Sequence, residues 1–153
     1  MTVRVQEQDF DLGAEVAALV AGRSDIGAVV TFSGLVRDTA GGQPISRMEL
    51  EHYPEMTTRA LEGIEAEARR RWDLQACLIL HRYGALEPGD RIMMVATASP
   101  HRADAFAAAE FLMDYLKSRA PFWKKEATPG GGKWVDARDE DEAALTRWHD
   151  TGD

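Results

Sequence analysis

Four cationic side chains lie within ten residues, Lys117–Glu126, of an acidic chain of 153 residues whose formal net charge is -8. They are Lys117, Arg119, Lys124 and Lys125. The first two end a helical pattern and the last two begin an extended one, because Pro121 interrupts the helix between them. A helix end and a strand start can bring amines together. An acidic chain that concentrates cations locally is predicted to bind an anionic ligand there.

A second set of cations lies earlier in the chain. Arg37 ends a predicted strand, and His101 and Arg102 lie in the first turn of the third predicted helix, where unpaired backbone N–H groups favour an anion. Lys117 lies at the far end of the same helix, roughly 24 Å from His101 at 1.5 Å per residue. One copy of the helix cannot place both residues on a small ligand. Either one of the two residues lies outside the site, or the site is built from two copies of the chain. We predict the second, a homodimer.

Each of these cations also has an ordinary explanation, which the sequence leaves open. Arg102 could pair with Asp104 or Glu110 on its own helix. His101 could be a surface or capping histidine, and Arg37 a solvated charge at a strand end. The lysines could likewise be solvated.

Composition limits the classes of protein to which the chain could belong. Its 44% hydrophobic residues can bury a core, and its length predicts one domain over residues 1–153. Cys77 is the only cysteine, so we predict no internal disulfide, an inert packed thiol and a reduced, cytoplasmic setting. His52 and His81 lack the spaced partners of a zinc site and are interpreted as structural, so no metal is expected.

Two further classes are disfavoured. No apolar run approaches twenty residues, and the N-terminus has no apolar signal-peptide core, so no membrane partner is expected. The sequence pI of about 5.0 argues against broad nucleic-acid binding, which needs a basic face.

Hydrophobic periodicity and turn residues predict an α+β fold with one largely antiparallel sheet and helices packed on it. The predicted strands are 2–7, Gly27–Arg37, its partner Ile45–His52, Ala76–Tyr83, Arg91–Ala98, a strand after Pro121 and a short strand near Trp134. The predicted helices follow Asp11, Pro54 and Ser99-Pro100, and a fourth with a frayed tail lies in 139–153. A polar loop is predicted at Asp38–Pro44 and a turn at Gly130–Gly132. Ser99 is predicted to cap the third helix.

Five stretches carry a resemblance to a known family. In chain order they are Val29–Arg37 (VVTFSGLVR), Leu50–Met56 (LEHYPEM), His81–Asp90 (HRYGALEPGD), Ser99–Phe106 (SPHRADAF) and Met113–Pro129 (MDYLKSRAPFWKKEATP). They resemble the large, catalytic subunit of molybdopterin synthase, and the last stretch is long and highly specific. The resemblance implies a single α+β domain of hammerhead-like architecture.

The resemblance also implies a reaction and its partners. Members of this family install two dithiolene sulfurs in cyclic pyranopterin monophosphate, which becomes molybdopterin. The sulfur arrives as a thiocarboxylate at the C-terminal Gly-Gly of a small ubiquitin-like subunit, so no cofactor is expected in the large subunit. Two large subunits form a central homodimer with a small subunit at each end, which makes a heterotetramer.

Site residues follow from the same resemblance. Lys117 and Lys124 match the two active-site lysines of the family. The positions that match its substrate- and phosphate-binding residues are Arg37, His101 and Arg102, and those that match the pocket lining are Leu35, Val36, Lys125 and Glu126. Lys117 is expected to stabilise developing negative charge or transfer a proton, and crowding by Lys124 favours loss of a proton from one of the two. Which lysine is the base stays open.

Two other functions remain as alternatives. The chain could be a non-catalytic module that holds an anionic partner or tail, and formation of a dithiolene product would separate the enzyme from this module. It could also bind single-stranded nucleic acid through Phe122, Trp123 and the lysines. Net acidity disfavours that alternative, and steep salt dependence of oligonucleotide binding would be its signature.

Overall fold

A computed structural model describes residues 2–128, 131–135 and 139–149. Its helices are α1 (Leu12–Val20), α2 (Pro54–Arg71), α3 (Arg102–Arg119) and α4 (Asp139–His149). Its strands are β1 (Val3–Gln6), β2 (Ala28–Leu35), β3 (Thr39–Ala40), β4 (Gln43–Pro44), β5 (Arg47–His52), β6 (Ala76–Arg82), β7 (Gly84–Leu86), β8 (Arg91–Ser99), β9 (Phe122–Thr128) and β10 (Gly131–Val135). Of the helices within these ranges, none is long and apolar enough to cross a bilayer.

The first sheet has the strand order β1-β6-β8-β2. Only the β1–β6 pair is parallel, and β6–β8 and β8–β2 are antiparallel. The two central strands are almost continuously apolar because both faces of the sheet are covered. On one face, Cys77, Ile79 and Val95 pack against α2, α3 and α4. On the other, Leu78, Leu80 and other side chains pack against α1.

The second sheet has the order β10-β9-β5-β7, and all its pairs are antiparallel. Met48, Leu50 and Leu86 on its inner face form a separate apolar cluster with Val36, which follows β2. The cluster joins this sheet to the end of β2. The α+β class with mainly antiparallel strands and packed helices is therefore confirmed.

The sequence-based prediction was wrong about which strands pair with each other. The strand predicted as Ile45–His52 pairs with β7 and β9, not with β2, and β2 pairs with β8. The predicted strands thus form two sheets rather than one, and their pairings join segments that are distant in sequence. The predicted loop at Asp38–Pro44 contains a short hairpin, β3–β4, whose turn is formed by Gly41 and Gly42 with positive φ angles.

Of two predicted helix N-cap residues, one is confirmed and the other is wrong. Asp11 caps α1 as predicted, since its side chain accepts a hydrogen bond of 2.8 Å from the Ala14 N–H. Ser99, in contrast, is the last residue of β8 and does not cap α3, whose N-cap residue is His101. Ser99 stays in the sheet because it pairs with Ala28 of β2.

At the C-terminus the predicted fourth helix is confirmed as α4. Its Trp148 packs edge-on against Trp72, with the ring centroids 5.6 Å apart. Gly131 and Gly132 belong to β10 rather than to a turn, whereas Gly130 and the predicted tail 150–153 lie outside the described residues.

Candidate active site

The two ends of α3 lie at opposite ends of the first sheet. Near its start, the Thr97 hydroxyl in β8 donates a 2.7 Å hydrogen bond to the Ala105 carbonyl. Near its end, the charge of Lys117 acts on His81, which pairs with Met93 at the other end of β8. The helix therefore runs back along β8.

The register of β2 places Arg37 at the Lys117 end of the sheet. Ala28 pairs with Ser99, next to the start of α3, whereas Leu35 pairs with Arg91 at the other end of β8. Arg102 and Lys117 are 15 positions apart on α3, or about 22 Å at 1.5 Å per residue. His101 and Arg102 are thus far from Arg37 and Lys117 within one copy of the chain.

Backbone hydrogen bonds hold the end of β2. The Val36 N–H donates to the Asp90 carbonyl at 2.9 Å, and the Gly89 N–H donates to the Val36 carbonyl at 2.8 Å. Val36 is buried in the cluster under the second sheet, at 3% exposure. Its neighbours Leu35 and Arg37, on either side, are exposed to solvent.

Strand alternation divides the basic residues of β9 between two faces. Lys124 and Glu126 pair with Leu50 and Met48, whose side chains form the inner face of the second sheet. Glu126 is buried there at 6% exposure, and Lys124 is half-buried. Lys125 points to the opposite face.

On that outer face, Lys125 lines a cavity of about 370 Å³. The other lining residues are Ser46, Arg47, Glu49 and Ala127. Arg47 and Glu49 form an ion pair. Lys124 and Lys125, which the sequence grouped together, therefore serve different surfaces.

The start of α3 leaves both of its predicted anion-binding residues exposed. His101 is the N-cap residue and makes no side-chain capping bond. The two salt bridges considered for Arg102 do not form: the Asp104 carboxylate accepts the Asp73 N–H at 3.1 Å, and Glu110 pairs with an arginine of α4 at 3.1 Å.

Three of the predicted cations lack an ion pair within the part of the chain that the structure describes. They are Arg37, Arg102 and Lys117. Exposed cations without carboxylate partners can bind an anionic ligand without first breaking a salt bridge. Across the same residues, no group of three His, Cys, Asp or Glu side chains converges as a metal site.

Two histidines that the sequence predicted to be structural lie together near Lys117. The His81 ring is buried and stacks on Phe122 with centroids 3.8 Å apart and planes at 18°. His52 lies 5.8 Å from the same phenylalanine ring. In the sequence, neither histidine has the regularly spaced partners of a metal site. Their shared contact with Phe122 depends on the pairing of β5 with β9. Only a correct strand pairing could have revealed this cluster.

Burial decides the charge of these groups. It lowers the pKa of His81 to about 4, and the hydrogen bond to Arg82 opposes the shift. The positive charge of Lys117, and that of His52 when it is protonated, lower this pKa further. Burial also lowers the pKa of His52. The thiol of Cys77, fully buried in β6, has a pKa raised to about 12 by burial, which confirms its assignment to packing.

Comparison with known proteins is consistent across sequence and structure. A family model described as "MoaE protein" matches residues 5–119. The molybdopterin synthase catalytic subunit of Ralstonia nicotianae is 63% identical over 96% of this chain and 84% of its own length. The protein of the same name from Cereibacter sphaeroides is 60% identical over 97% of this chain and 100% of its own.

A solved structure gives the same result. The molybdopterin biosynthesis MoaE protein of Burkholderia ambifaria superimposes with a TM-score of 0.83 at 59% identity, over 96% of this chain and 97% of that one. The matched family model covers the strand ends and the helix that carry Arg37, His101, Arg102 and Lys117. The chain therefore belongs to the MoaE family.

Proposed function

We propose that this chain is the catalytic subunit of a molybdopterin synthase and transfers sulfur to cyclic pyranopterin monophosphate. The observation that carries the proposal is the set of unpaired cations at the ends of β2 and α3, in a chain 63% identical to such a subunit. A phosphorylated pterin is an anion, and the sulfur donor, a thiocarboxylate, is another. Both charges suit a basic site in an otherwise acidic protein.

The sulfur donor in this proposal is a small ubiquitin-like subunit with a C-terminal Gly-Gly thiocarboxylate. The relatives are named as catalytic subunits, which implies a second kind of subunit. The chain itself is a poor sulfur carrier because its only cysteine is buried with a raised pKa. Each transfer leaves the partner tail as a carboxylate, whose new oxygen comes from water.

The basic residues fall into two groups with different roles in the proposed reaction. Arg37, His101 and Arg102 hold the phosphate of the substrate through charge-assisted hydrogen bonds. Lys117 stabilises negative charge that develops during sulfur transfer or moves a proton, and Lys124, on the inner face of β9, is the second active-site lysine. Leu35, Val36 and Glu126 are proposed to line the pocket, and Lys125, on the outer face of β9, to lie at its periphery.

Two copies of the chain would build each site. Lys117 and Arg102 lie about 22 Å apart on one straight helix, whereas a monophosphate ligand spans less. A homodimer would let α3 of one copy supply His101 and Arg102 while the other copy supplies Arg37, Lys117 and Lys124. With one small subunit at each end, the assembly is a heterotetramer.

Removing the amine of Lys117 tests the catalytic part of the proposal. The protein is mixed with thiocarboxylated small subunit and cyclic pyranopterin monophosphate, and dithiolene product is measured. Lys117→Ala should lower the rate at least about 100-fold, the scale of a lost acid–base group, while the small subunit still binds. Normal turnover by this variant would refute its role.

A control variant that loses one positive charge far from the site shows whether the effect of Lys117→Ala comes from the lost amine or only from the change in net charge. Arg4 lies in β1, the strand farthest from β2 in the first sheet, where it pairs with Glu15. Arg4→Ala removes one positive charge and should leave product formation unchanged. Binding of substrate and small subunit without any product in the wild-type protein would instead favour the non-catalytic module.

A further inference from the structure

The rings of His52, His81 and Phe122 form a cluster near Lys117 that has no part in the mechanism above, and Tyr83 packs on its His52 at 4.5 Å between centroids. We call these three rings the histidine cluster. His81 lies near the end of β6, His52 ends β5 and Phe122 begins β9. The cluster thus joins both sheets to the point where α3 passes into β9.

Hydrogen bonding defines the tautomer of His81. Its Nδ1 lies 2.7 Å from the carbonyl oxygen of Arg82, and a carbonyl can only accept. Nδ1 therefore carries the proton, and the neutral ring keeps its lone pair on Nε2. With this bond made, the ring is held flat against Phe122, 3.8 Å between centroids.

The turn between α3 and β9 is also held by a contact from α2. The hydroxyl of Thr57, a fully buried residue, donates to the Pro121 carbonyl at 3.5 Å. Because that hydroxyl proton is used, Nδ1 of His52 is the donor across its 3.2 Å contact with the Thr57 oxygen. The Phe122 N–H closes the turn on the Ala120 carbonyl at 2.9 Å.

Lys117 and Lys124 are seven positions apart, and the chain between them passes through this turn. Lys117 lies in the last turn of α3 close enough for its charge to act on His81. Phe122 and Lys124 share the inner face of β9, because alternate residues of a strand point the same way. A shift of the β9 backbone at Phe122 would therefore displace Lys124 relative to Lys117.

We propose that His81 is a positioning residue: its neutral ring, stacked on Phe122, sets the placement of Lys117 relative to Lys124. Its importance for turnover rests on the proposed function, but its effect on the lysines does not. A cation at the same place would repel Lys117, whereas a neutral aromatic ring can lie beside it at no such cost.

Paired substitutions isolate the ring stack. His81→Leu and His81→Phe both lose the hydrogen bond to Arg82, but only the leucine variant loses the stack on Phe122. Phe10→Leu is the control for lost aromatic packing, since Phe10 is buried against α1 on the opposite face of the first sheet. Each variant is studied as the full chain with its small subunit.

Two measurements are made on each variant. Acylation rates of Lys117 and Lys124 by a small activated ester are resolved by peptide mass spectrometry, with Lys125 on the outer face as internal reference. Dithiolene formation gives kcat and KM. His81→Leu should change the Lys117 and Lys124 rates relative to Lys125 and lower kcat about 10- to 100-fold, the scale of a small misplacement, with little change in KM. His81→Phe should restore most of both values, and Phe10→Leu should change neither.

Unchanged acylation rates and kcat in a folded His81→Leu protein would overturn the inference. If that variant does not fold, Phe122→Leu removes the same stack from the other ring and should give the same pattern; unchanged rates there would overturn the inference as well. If wild-type protein makes no product but the lysine acylation rates respond to His81→Leu and not to Phe10→Leu, the proposed function fails and the positioning inference stands.

Discussion

Lys124 and Lys125 show how much a single residue step decides in this protein. The two lysines are adjacent in sequence and chemically identical, yet β9 directs one to the inner face beside Leu50 and the other to the outer face beside Glu49. On the inner face an amine is half-buried near the histidine cluster. On the outer face it lines an open cavity with Arg47.

We therefore expect the two lysines to differ in an alanine comparison. Lys124→Ala should lower kcat by about 100-fold or more, as for loss of a group that acts on the reacting atoms. Lys125→Ala should cost about tenfold or less, because it removes one peripheral charge. Steady-state kinetics with saturating small subunit measure both. Equal losses would mean that both faces of β9 contact substrate.

The lowered pKa of His81 predicts that the stability of the protein depends on pH. Its pKa in the folded protein is about 4, compared with 6.5 for a free histidine, so the unfolded chain binds this proton more readily. The contribution of neutral His81 is complete above pH 6.5 and is lost as the pH falls towards 4. From pH 7 to pH 5 the free energy of unfolding should fall by about 2 kcal/mol on this account.

Denaturant unfolding of wild type and His81→Phe at both pH values measures this contribution. The phenylalanine variant should lose less stability between pH 7 and pH 5 than wild type does. His52, whose pKa is also lowered by burial, is present in both proteins and cancels in the comparison. Identical pH dependence in the two proteins would show that His81 is not held neutral by the fold.

At the scale of elements, the junction of β8 with α3 decides where His101 and Arg102 lie. β8 continues through Ser99, and the Gly27 N–H donates to the Ser99 carbonyl at 3.0 Å. The two backbones approach so closely that a Cβ atom at Gly27 would lie 2.1 Å from the Pro100 carbonyl oxygen. Glycine is therefore needed at this position for a steric reason.

Gly27→Ala should accordingly destabilise the protein by about 1–3 kcal/mol, the usual cost of overpacking, and move the start of α3. Gly63→Ala is the matched control, since Gly63 lies within α2 and a Cβ there meets nothing within 4 Å. It should be neutral or stabilise by up to about 1 kcal/mol. Chemical unfolding of both variants gives the comparison, and equal effects would contradict the close approach.

For the whole molecule, the length of α3 is the decisive quantity. It separates the cations at its start from Lys117 at its end by about 22 Å, and the antiparallel register of β2 with β8 leaves Arg37 at the Lys117 end. A site that uses all of these residues needs two copies. The lysines, in contrast, share one end of a single copy through the turn between α3 and β9.

Mixed dimers test this division. Lys117→Ala and His101→Ala proteins, each inactive, should recover about a quarter of wild-type activity when co-assembled, since half of the dimers are mixed and each has one intact site. Lys117→Ala mixed with Lys124→Ala should recover none, because both lysines come from the same copy. Product formation after co-expression measures both mixtures, and recovery in the second would place the lysines in different copies.

Local signals in the sequence determined most elements of this protein, but not the short strands β3, β4 and β7. Alternation identified the apolar strands, Asp11 and Pro54 marked the starts of two helices, and the periodic stripe of α3 was recognised to its end near Arg119. These features depend on neighbours within a few residues, so one sequence is enough to read them. The same local information identified the basic stretch and the resemblance to the MoaE family.

Tertiary structure decided the strand partners and the surroundings of the lysines. Pairing of β5 with β9 rather than β2 joins residues more than 60 positions apart, and no local pattern specifies such a choice. The same pairing brings His52 to Phe122 and directs Lys124 and Lys125 to opposite faces. Burial, which sets the charge of His81, depends on all the elements around it, so it could be known only once they were assembled.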